Sequence, residues 1–255
     1  TPIARASAKC WSSKWQRIKA AFIKATGEMP HPGMKVLLSV SANFHEAYGF
    51  SWIVDDIDPS YTLGDMARKR LAIINELKAQ GVFDMQRQLS LPMFAMRIAV
   101  ISSANAAGYG DFCNQLADNE YGFKFRTQLF PAIMQGEQVE ASVIEALNKI
   151  NDEADSFDVV VIIRGGGATA DLSGFDTLRL AENVANFPLP IITGIGHERD
   201  ESVLDLVAHH NVKTPTAAAA FLIDHLALVA NYLDQASQRI SNIITYRLQT
   251  ERMRT

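Results

Sequence analysis

An arginine and three glycines directly follow a long apolar run in the stretch 159–176, VVVIIRGGGATADLSGFD. The run predicts a strand buried on both faces, and ligands of open parallel sheets bind beyond the carboxyl ends of such strands. The amides of Gly165, Gly166 and Gly167 can approach an anion closely, and the planar fork of Arg164 matches phosphate oxygens. The stretch therefore predicts a phosphate or anion site. The alternative is a tight turn with Arg164 in a structural ion pair.

A histidine stands at the end of a second apolar stretch, LPIITGIGHERD. His197 follows a Gly-Ile-Gly turn, and an imidazole at this place can exchange a proton near neutral pH. Asp200 comes three residues later, close enough to orient the imidazole or to bind a cation. An isolated histidine is more often structural, but a position beside the predicted phosphate site favours a catalytic role for His197.

Polar residues also end the first predicted strand of this region, RIAVISS. Ser102, Ser103 and Asn105 should lie at the same sheet edge as the other two strand ends, where they can contact a phosphate. Asp111 follows in the next helix, and two interpretations stay open. It complements the helix dipole in the first turn, or it acts electrostatically on the phosphate site, directly or through a metal. Asp176, after the glycines, is expected to cap the helix that follows it.

Strand and helix patterns alternate regularly between residues 96 and 215. This alternation is typical of a parallel sheet with right-handed crossovers and helices on both faces. We therefore predict an α/β fold with a doubly wound, mostly parallel sheet, flavodoxin-like or Rossmann-like. The predicted strands span 97–103, 123–132, 158–165 and 189–196, and the predicted helices span 107–119, 137–152, 175–187 and 200–210.

The first 62 residues predict a small β unit. Strands are expected at 35–44 and 48–59, where apolar and β-branched residues form short runs bounded by Gly and Pro. A connecting helix at about 64–80 and an extended linker to residue 95 join this unit to the α/β domain, which is expected to span 96–215.

The first 30 residues are basic although the whole chain has a net charge of −4. They carry six Lys or Arg residues and one Glu, a local net charge of +5, together with Trp11 and Trp15. Basic side chains interleaved with aromatic ones suit phosphate contacts and base stacking, which makes Lys9, Lys14 and Arg17 candidate DNA contacts. The alternative is a surface segment whose lysine stems cover a few core aromatics.

The composition bounds the class of protein. With 48% hydrophobic and 20% charged residues, the chain is typical of a soluble globular protein. It contains no uninterrupted run of 18 apolar residues, so no membrane span is predicted. Cys10 and Cys113 are the two cysteines, which excludes a disulfide framework and a CxxC zinc site and predicts a cytoplasmic location.

A heptad pattern runs through the C-terminal segment, 216–255, which begins at TPTAAAAF. Apolar residues recur at alternating spacings of four and three, and no Pro or Gly interrupts the segment. The pattern predicts a long helix whose apolar seam either binds partner helices or packs on its own domain. The seam consists of Leu222, Leu226, Val229, Leu233, Ala236, Ile240 and Ile243.

Four motifs in this order resemble the large subunit family of exodeoxyribonuclease VII: MRIAVISSANAAGYGDF, RGGGATADLSGFD, GHERDESVLDLVAHH and KTPTAAAAF. The resemblance covers almost the whole chain and implies an enzyme that degrades single-stranded DNA from either end to short 5′-phosphorylated oligonucleotides. It also implies an N-terminal OB-fold, partial in this chain, that binds DNA, and C-terminal helices that bind the small subunit. The catalytic positions of the family fall on Asp111, Arg164, His197 and Asp200, and its phosphate-proximal loop falls on the three glycines.

Several positions depart from the pattern of that family. It usually has a serine after the three glycines and an acidic residue before the Asp-Leu pair, where this chain has Ala168 and Ala170. These departures indicate a divergent subgroup with altered loop contacts. The other departures are Asp176 for a usual Asn, His209 for Asp, Asn211 for Arg and Ala220 for Glu.

The sequence leaves three functions open. The leading one is phosphodiester hydrolysis, in which Arg164 and the glycine amides stabilise charge on phosphorus and His197 transfers a proton. No cofactor is predicted, and Mg²⁺ is compatible but not required, since a dense carboxylate cluster is absent from the sequence. The second is a single-strand-binding scaffold without catalysis. The third, ranked last, is a flavodoxin-like enzyme acting on a small phosphorylated ligand.

Overall fold

The structure, a computed structural model, describes residues 6–27, 29–46, 49–165, 172–196 and 201–254. The N-terminal elements are β1 (Ala8–Lys9), α1 (Ser12–Thr26), β2 (Leu37–His45) and β3 (Gly49–Asp58). The three strands form one sheet in the order β1-β3-β2, in which β1 is parallel and β2 antiparallel to β3. The predicted strands at 35–44 and 48–59 are therefore confirmed as β2 and β3.

Helix α1 packs on this sheet, although the sequence predicted no helix there. Ile18 and Phe22 are buried against Val54 and Ile57 of β3. Gly27 ends the helix in the left-handed conformation, with φ 76°, which glycine adopts without steric cost. The described N-terminal residues thus form a three-stranded sheet with one helix, and they do not by themselves close into an OB barrel.

Helix α2 (Pro59–Ala79) and the short helix α3 (Met85–Gln88) connect the N-terminal sheet to the rest of the chain. The carboxylate of Asp58 caps α2 by accepting a hydrogen bond from Ser60 N at 2.9 Å. Pro59 takes the first helical position, where its missing N–H costs nothing. The helix therefore begins before residue 64, because this cap and proline are stronger start signals than the apolar spacing.

The linker after α2 is docked on the α/β domain through a buried amide. Gln86 is fully buried, and its Nε2 donates to Phe187 O at 2.8 Å. Its Oε1 accepts a hydrogen bond from Ile191 N at 2.9 Å. The linker thus satisfies backbone groups of the α/β domain instead of running free over its surface.

A five-stranded parallel sheet forms the centre of that domain. Its strands lie in the order β5-β4-β6-β7-β8, so the chain winds first to one side of β4 and then to the other. The crevice between the carboxyl ends of β4 and β6 is therefore the topological switch point where such folds bind ligands. The strands are β4 (Arg97–Ser102), β5 (Arg126–Pro131), β6 (Val159–Ile163), β7 (Ile191–Gly194) and β8 (His210–Asn211).

Helices cover both faces of the sheet, because successive strand residues point to opposite sides. Ala99 and Ile101 of β4 pack with one set of helices, whereas Ile98 and Val100 pack with the other. The first set is α5 (Val139–Asp152), α6 (Leu178–Ala185) and α7 (Val203–Val207), and the second is α4 (Ala107–Ala117) and α8 (Pro215–Arg254). The predicted doubly wound α/β fold is confirmed, in the flavodoxin-like strand order.

The four predicted strands and four predicted helices of this region all form, with two differences at the last crossover. Helix α7 is shorter than the predicted 200–210, because Ala208 is extended and directs the chain into the next strand. Strand β8, which the sequence did not predict, pairs His210 and Asn211 with Ile192 and Thr193 of β7. Two residues carry no periodicity from which a strand can be recognised.

The predicted heptad seam lies on helix α8, and its two halves differ in burial. Leu222 packs in the core of the α/β domain, and Leu226 is buried as well. Leu233, Ile240 and Ile243 are 45%, 59% and 59% exposed. Packing on its own domain is therefore correct for the start of the seam, while the later part is uncovered by the described residues.

One helix among the described residues, within Pro215–Thr250, is long and apolar enough to cross a membrane by length and composition. Polar residues are scattered through this helix, so its sequence contains no uninterrupted run of 18 apolar residues. Core helices of soluble proteins pass the same test, and the start of this helix packs on the sheet. It is therefore weak evidence for a membrane span.

Replacing Gln86 by Ala should lower the free energy of unfolding by about 1–3 kcal/mol, because Ile191 N and Phe187 O would lose their buried partner. The measurement is urea unfolding followed by circular dichroism. Gln80→Ala is the matched control, since that amide bonds Glu76 and Glu182 at the surface, and it should change stability by less than about 0.5 kcal/mol. Equal effects of the two substitutions would contradict the proposed anchor.

Candidate active site

Two glycines lie where the turn after β4 comes close to the end of β6. A Cβ atom added to Gly108, in the first turn of α4, would lie 3.0 Å from Gly165 Cα and 3.2 Å from Arg164 O. A Cβ added to Gly165 would lie 3.1 Å from Ala106 Cβ. A side chain at Gly108 would force a neighbour to move and one at Gly165 would crowd Ala106, so the close approach brings two of the predicted site segments into contact.

The end of β7 and the start of α8 complete this edge of the sheet. Arg164 N donates a hydrogen bond to Gly194 O at 3.3 Å, which joins the ends of β6 and β7. A Cβ on Gly194 would meet Thr214 O at 3.1 Å, and one on Gly108 would meet Pro215 Cγ at 2.8 Å. The three predicted strand ends therefore lie together, as expected.

The start of α8 also belongs to this edge, although the sequence did not predict it as part of the site. Thr214 caps the helix, because its Oγ1 accepts a hydrogen bond from Ala217 N at 3.1 Å. Pro215 follows at the first helical position. The partial positive charge of a helix N-terminus favours anions nearby. The Thr-Pro pair in KTPT was the available signal for this cap.

Arg164 is 7% exposed at the end of β6, so its guanidinium lies within the edge and not on the outer surface. Ser102 is fully buried, and its Oγ has no hydrogen-bond partner among the described residues. Ser103 is half-buried and Asn105 is exposed in the turn after β4. Of the predicted phosphate contacts on this turn, Ser103 and Asn105 are thus the accessible ones.

Asp111 is exposed in the second turn of α4, since the helix begins at Ala107. The interpretation that it complements the helix dipole from the first turn is therefore wrong, because the dipole effect fades within that turn. Its role at the phosphate site stays a prediction.

The three basic candidates near the N-terminus belong to the N-terminal sheet and its helix. Lys9 lies in β1 and Arg17 in α1, and both are exposed. Lys14 Nζ pairs with Asp55 Oδ1 at 2.6 Å, so its charge already has a partner. Lys9 and Arg17 are therefore better placed than Lys14 to contact DNA.

His197, Asp200, Gly166 and Gly167 lie outside the described residues, as do Ala168 and Ala170. The chain is described up to Gly165 and Gly196 on one side of these segments. Both residues belong to the carboxyl edge of the sheet. The catalytic roles of His197 and Asp200 and the phosphate-binding role of the two glycines stay predictions.

A buried aspartate holds the start of α7 on β7. Asp205 accepts hydrogen bonds from Thr193 Oγ1 at 2.6 Å and from Ser202 Oγ at 2.8 Å. Ser202 in turn caps the helix, because its Oγ accepts from Asp205 N at 3.2 Å. The segment between Gly196 and Ser202 is therefore anchored at its far end. The sequence signal for this anchor was the capping pattern in SVLD.

Asp176 joins three elements instead of capping α6. Its Oδ1 accepts a hydrogen bond from Val203 N at 2.7 Å, at the start of α7, and its other oxygen pairs with Arg70 of α2. Thr177 caps α6, with Leu180 N at 3.4 Å from its Oγ1. The prediction that Asp176 caps the following helix is therefore wrong, because its two oxygens bond α7 and α2 and Thr177 takes the cap position.

The comparisons with known proteins identify the family. The family model for "Exonuclease VII, large subunit" matches residues 82–255. The chain belongs to this family. A protein from Deinococcus radiodurans named "Exodeoxyribonuclease 7 large subunit" is 38% identical over 240 residues, which cover 91% of this chain and 58% of that protein. Proteins of the same name from a Nostoc and a Cyanothece species are 34% and 32% identical, over 94% and 96% of this chain and 55% of each relative.

The resemblance noticed in the motifs is thereby confirmed, and the family model spans all of the carboxyl edge. The chain covers just over half the length of the curated exodeoxyribonuclease relatives that it matches. The matches to these relatives also extend over most of the N-terminal elements, which lie outside the residues matched by the family model.

Asp176→Asn should make the protein less sensitive to rising pH. Burial raises the pKa of the Asp176 carboxyl above its ordinary value of 3.8, against the effects of Val203 N and Arg70, and the charge of Asp205 adds to the increase. Because the folded-state pKa is raised, protonation of Asp176 stabilises the folded protein. This contribution is complete below pH 3.8 and is lost as pH rises through the folded-state pKa. The difference in unfolding free energy, wild type minus variant, should therefore fall as pH rises.

Denaturant unfolding at several pH values from about 3.5 to 7 measures this difference. Asn183→Ala is the control, because the Asn183 amide of α6 donates to Arg179 O and has no titratable group, so its difference should change little over the same interval. A difference for Asp176→Asn that stays constant or rises with pH would show that the carboxyl titrates differently.

Proposed function

We propose that the protein is the catalytic large subunit of a single-strand-specific DNA exonuclease that hydrolyses phosphodiester bonds to short 5′-phosphorylated oligonucleotides. The observation that carries the proposal is the contact of the β4, β6 and β7 ends with the start of α8 in a chain of the exonuclease VII large-subunit family. The names of its relatives, exodeoxyribonuclease large subunits, support DNA as the substrate.

Arg164 and the glycine amides would bind the scissile phosphate. A pentacoordinate phosphorus gathers negative charge in the transition state, and fixed N–H donors stabilise that charge without reorganising. Burial of Arg164 supports this role, since electrostatic attraction is stronger where water is excluded. The start of α8 adds a favourable partial charge on the same edge.

His197 would transfer the proton, and the two aspartates would position the reactants. An imidazole can deprotonate the attacking water or protonate the leaving oxygen near neutral pH. Asp200 would orient this imidazole and Asp111 would position water or a cation, and the two roles are exchangeable. Ser103 and Asn105, on the accessible turn after β4, would contact the neighbouring phosphate oxygens.

The N-terminal elements would bind the single strand as an OB-fold-like unit over residues 1–62. Trp11 is 69% exposed and Phe44 is 73% exposed, which suits stacking of unpaired bases. Lys9 and Arg17 are exposed and basic and would contact phosphates. Residues 63–95 connect this unit to the catalytic domain at 96–215.

The later part of α8 would bind the small subunit in a helical region that starts at residue 216. Ile240 and Ile243 of the heptad seam are more than half exposed along this helix, and an apolar seam at heptad spacing fits a partner helix. A DNA substrate and the two free cysteines support a cytoplasmic location.

His197→Ala should lower cleavage of single-stranded DNA by about 10²–10⁴-fold, the usual contribution of a general acid or base. The assay uses the intact protein with its small subunit, end-labelled single-stranded and duplex DNA, and buffers with EDTA or Mg²⁺. Binding of the single strand by the variant should be unchanged. Cleavage in EDTA would show that Mg²⁺ is dispensable.

A second pair of variants, at two positions of α4 and its C-terminal end, tests the role of Asp111. Asp111→Asn should lower the cleavage rate, whereas Asp118→Asn, at the exposed C-cap position of the same helix, should not. Binding without cleavage by the wild type, even with Mg²⁺, would instead favour a binding scaffold. That alternative is motivated by Ala168 and Ala170, where the family usually has a serine and an acidic residue. Competition by a mononucleotide at the same concentration as DNA would favour an enzyme of small phosphorylated ligands.

Arg164→Lys should also impair cleavage, by about 10²–10³-fold, because lysine keeps the charge but loses the planar fork of donors. Single-turnover rates at saturating DNA measure the chemical step separately from binding. A rate within about threefold of the wild type would contradict a role of the guanidinium in the transition state.

A further inference from the structure

A second cavity lies between the N-terminal elements and the α/β domain, outside the carboxyl edge. Its volume is about 200 Å³, and we refer to it as the α2 cavity. Met34 and Met66 contribute apolar walls, and Ser173 and Asp176 form the wall on the α/β domain. The complete lining is His31, Gly33, Met34, Lys35, Thr62, Asp65, Met66, Lys69, Arg70, Ser173 and Asp176.

One buried carboxylate in this cavity is surrounded by three cations. Asp65 Oδ1 lies 3.6 Å from Lys35 Nζ and 3.4 Å from an Arg68 guanidinium nitrogen. Its Oδ2 lies 3.1 Å from Lys69 Nζ, and this hydrogen bond is the main cause that holds the pKa of Asp65 below its ordinary value. Three positive charges against one negative leave a surplus of two.

The other charges of the cavity are paired. Arg70, which also lines the cavity, pairs with Asp176. The surplus therefore belongs to the Asp65 group, whose Lys35 and Lys69 side chains are 65% and 59% exposed. Mutual repulsion of these cations falls when a further anion shares them, and the apolar walls strengthen that attraction.

We propose that the α2 cavity is a subsite for one phosphodiester group of a single strand, held by Lys35 and Lys69. This inference rests on the proposed function, because it assigns the cavity to the same substrate. The volume is below the range of about 300–1,000 Å³ for whole small-molecule ligands, so it suits one phosphate and part of its nucleotide. The methionine walls offer soft apolar surface to the sugar or base.

The cavity is connected to the catalytic edge through a shared residue. Asp176 lines the cavity and also accepts the hydrogen bond from Val203 N at the start of α7. A strand bound both at the carboxyl edge and at Lys69 would therefore pass Ser173 and Asp176, which line the same cavity. The subsite would hold the strand next to the nucleotide that is cleaved.

The test measures how DNA binding depends on salt. Each phosphate contact to a single strand contributes about 0.7 to the slope of log K against log salt concentration. The double variant Lys35→Gln, Lys69→Gln should therefore reduce the slope by about 1.4. Between 50 and 200 mM salt, its affinity for the single strand should then fall about sevenfold less than that of the wild type. The measurement uses the intact protein with its small subunit, a fluorescent oligonucleotide, and the His197→Ala background to prevent cleavage.

Lys149→Gln is the matched control. Lys149 forms the same type of i,i+4 ion pair, with Glu145 at 2.7 Å, and its side chain is 61% exposed. It lies on α5, outside the lining of the cavity, and its substitution should leave the slope unchanged. Lys35→Arg with Lys69→Arg keeps both charges and should restore the wild-type slope, which separates a lost contact from a damaged fold.

An unchanged slope in the double Gln variant would overturn the subsite. Inorganic phosphate could also raise the melting temperature of that variant less than that of the wild type while the DNA slope stays unchanged. This result would assign the cavity to a free anion and would also overturn the subsite. The nuclease proposal fails separately. If the protein with His197 intact does not cleave but the slope still falls by about 1.4 in the double variant, the subsite stands and catalysis does not.

Discussion

The contact between Gly108 and Gly165 determines the shape of the crevice on which the function depends. At this point the turn after β4 and the end of β6 approach so closely that a methyl group on either residue would crowd the other segment. The start of α8 closes the third side through Pro215. Backbone groups of these segments therefore lie close together at the switch point of the sheet, where such folds bind ligands.

Two buried carboxylates then hold the elements around this crevice. Asp205 ties the start of α7 to β7, and Asp176 ties it to α2 across the domain. Removing a carboxylate from water is costly, and the cost is offset because each accepts hydrogen bonds from backbone or hydroxyl donors. The start of α7 is thus held by two carboxylates, directly after the segment in which the sequence places His197.

The connection between the N-terminal elements and the catalytic domain has its own polar and apolar anchors. Gln86 fastens the linker to the start of β7, and Leu77 of α2 is buried in the domain core. These attachments place Lys69 and Arg70 of α2 in one cavity with Ser173 and Asp176 of the α/β domain. DNA binding by the N-terminal elements and cleavage at the sheet edge would therefore act on one continuous strand path.

Local sequence determined the α/β alternation, since each buried strand is an apolar run and each helix has an apolar face. It also determined the candidate chemistry, because Arg164, three glycines and His197 follow such strands, and the family follows from the same motifs. Other features arise between segments distant in the chain. Only the tertiary structure decided that Asp176 bonds α7 and Arg70, that α1 packs on a sheet, and that Asp111 lies beyond the first turn. The physical reason is that periodicity reports which residues are buried, whereas a cap, an ion pair or a two-residue strand depends on the partner that folding brings near.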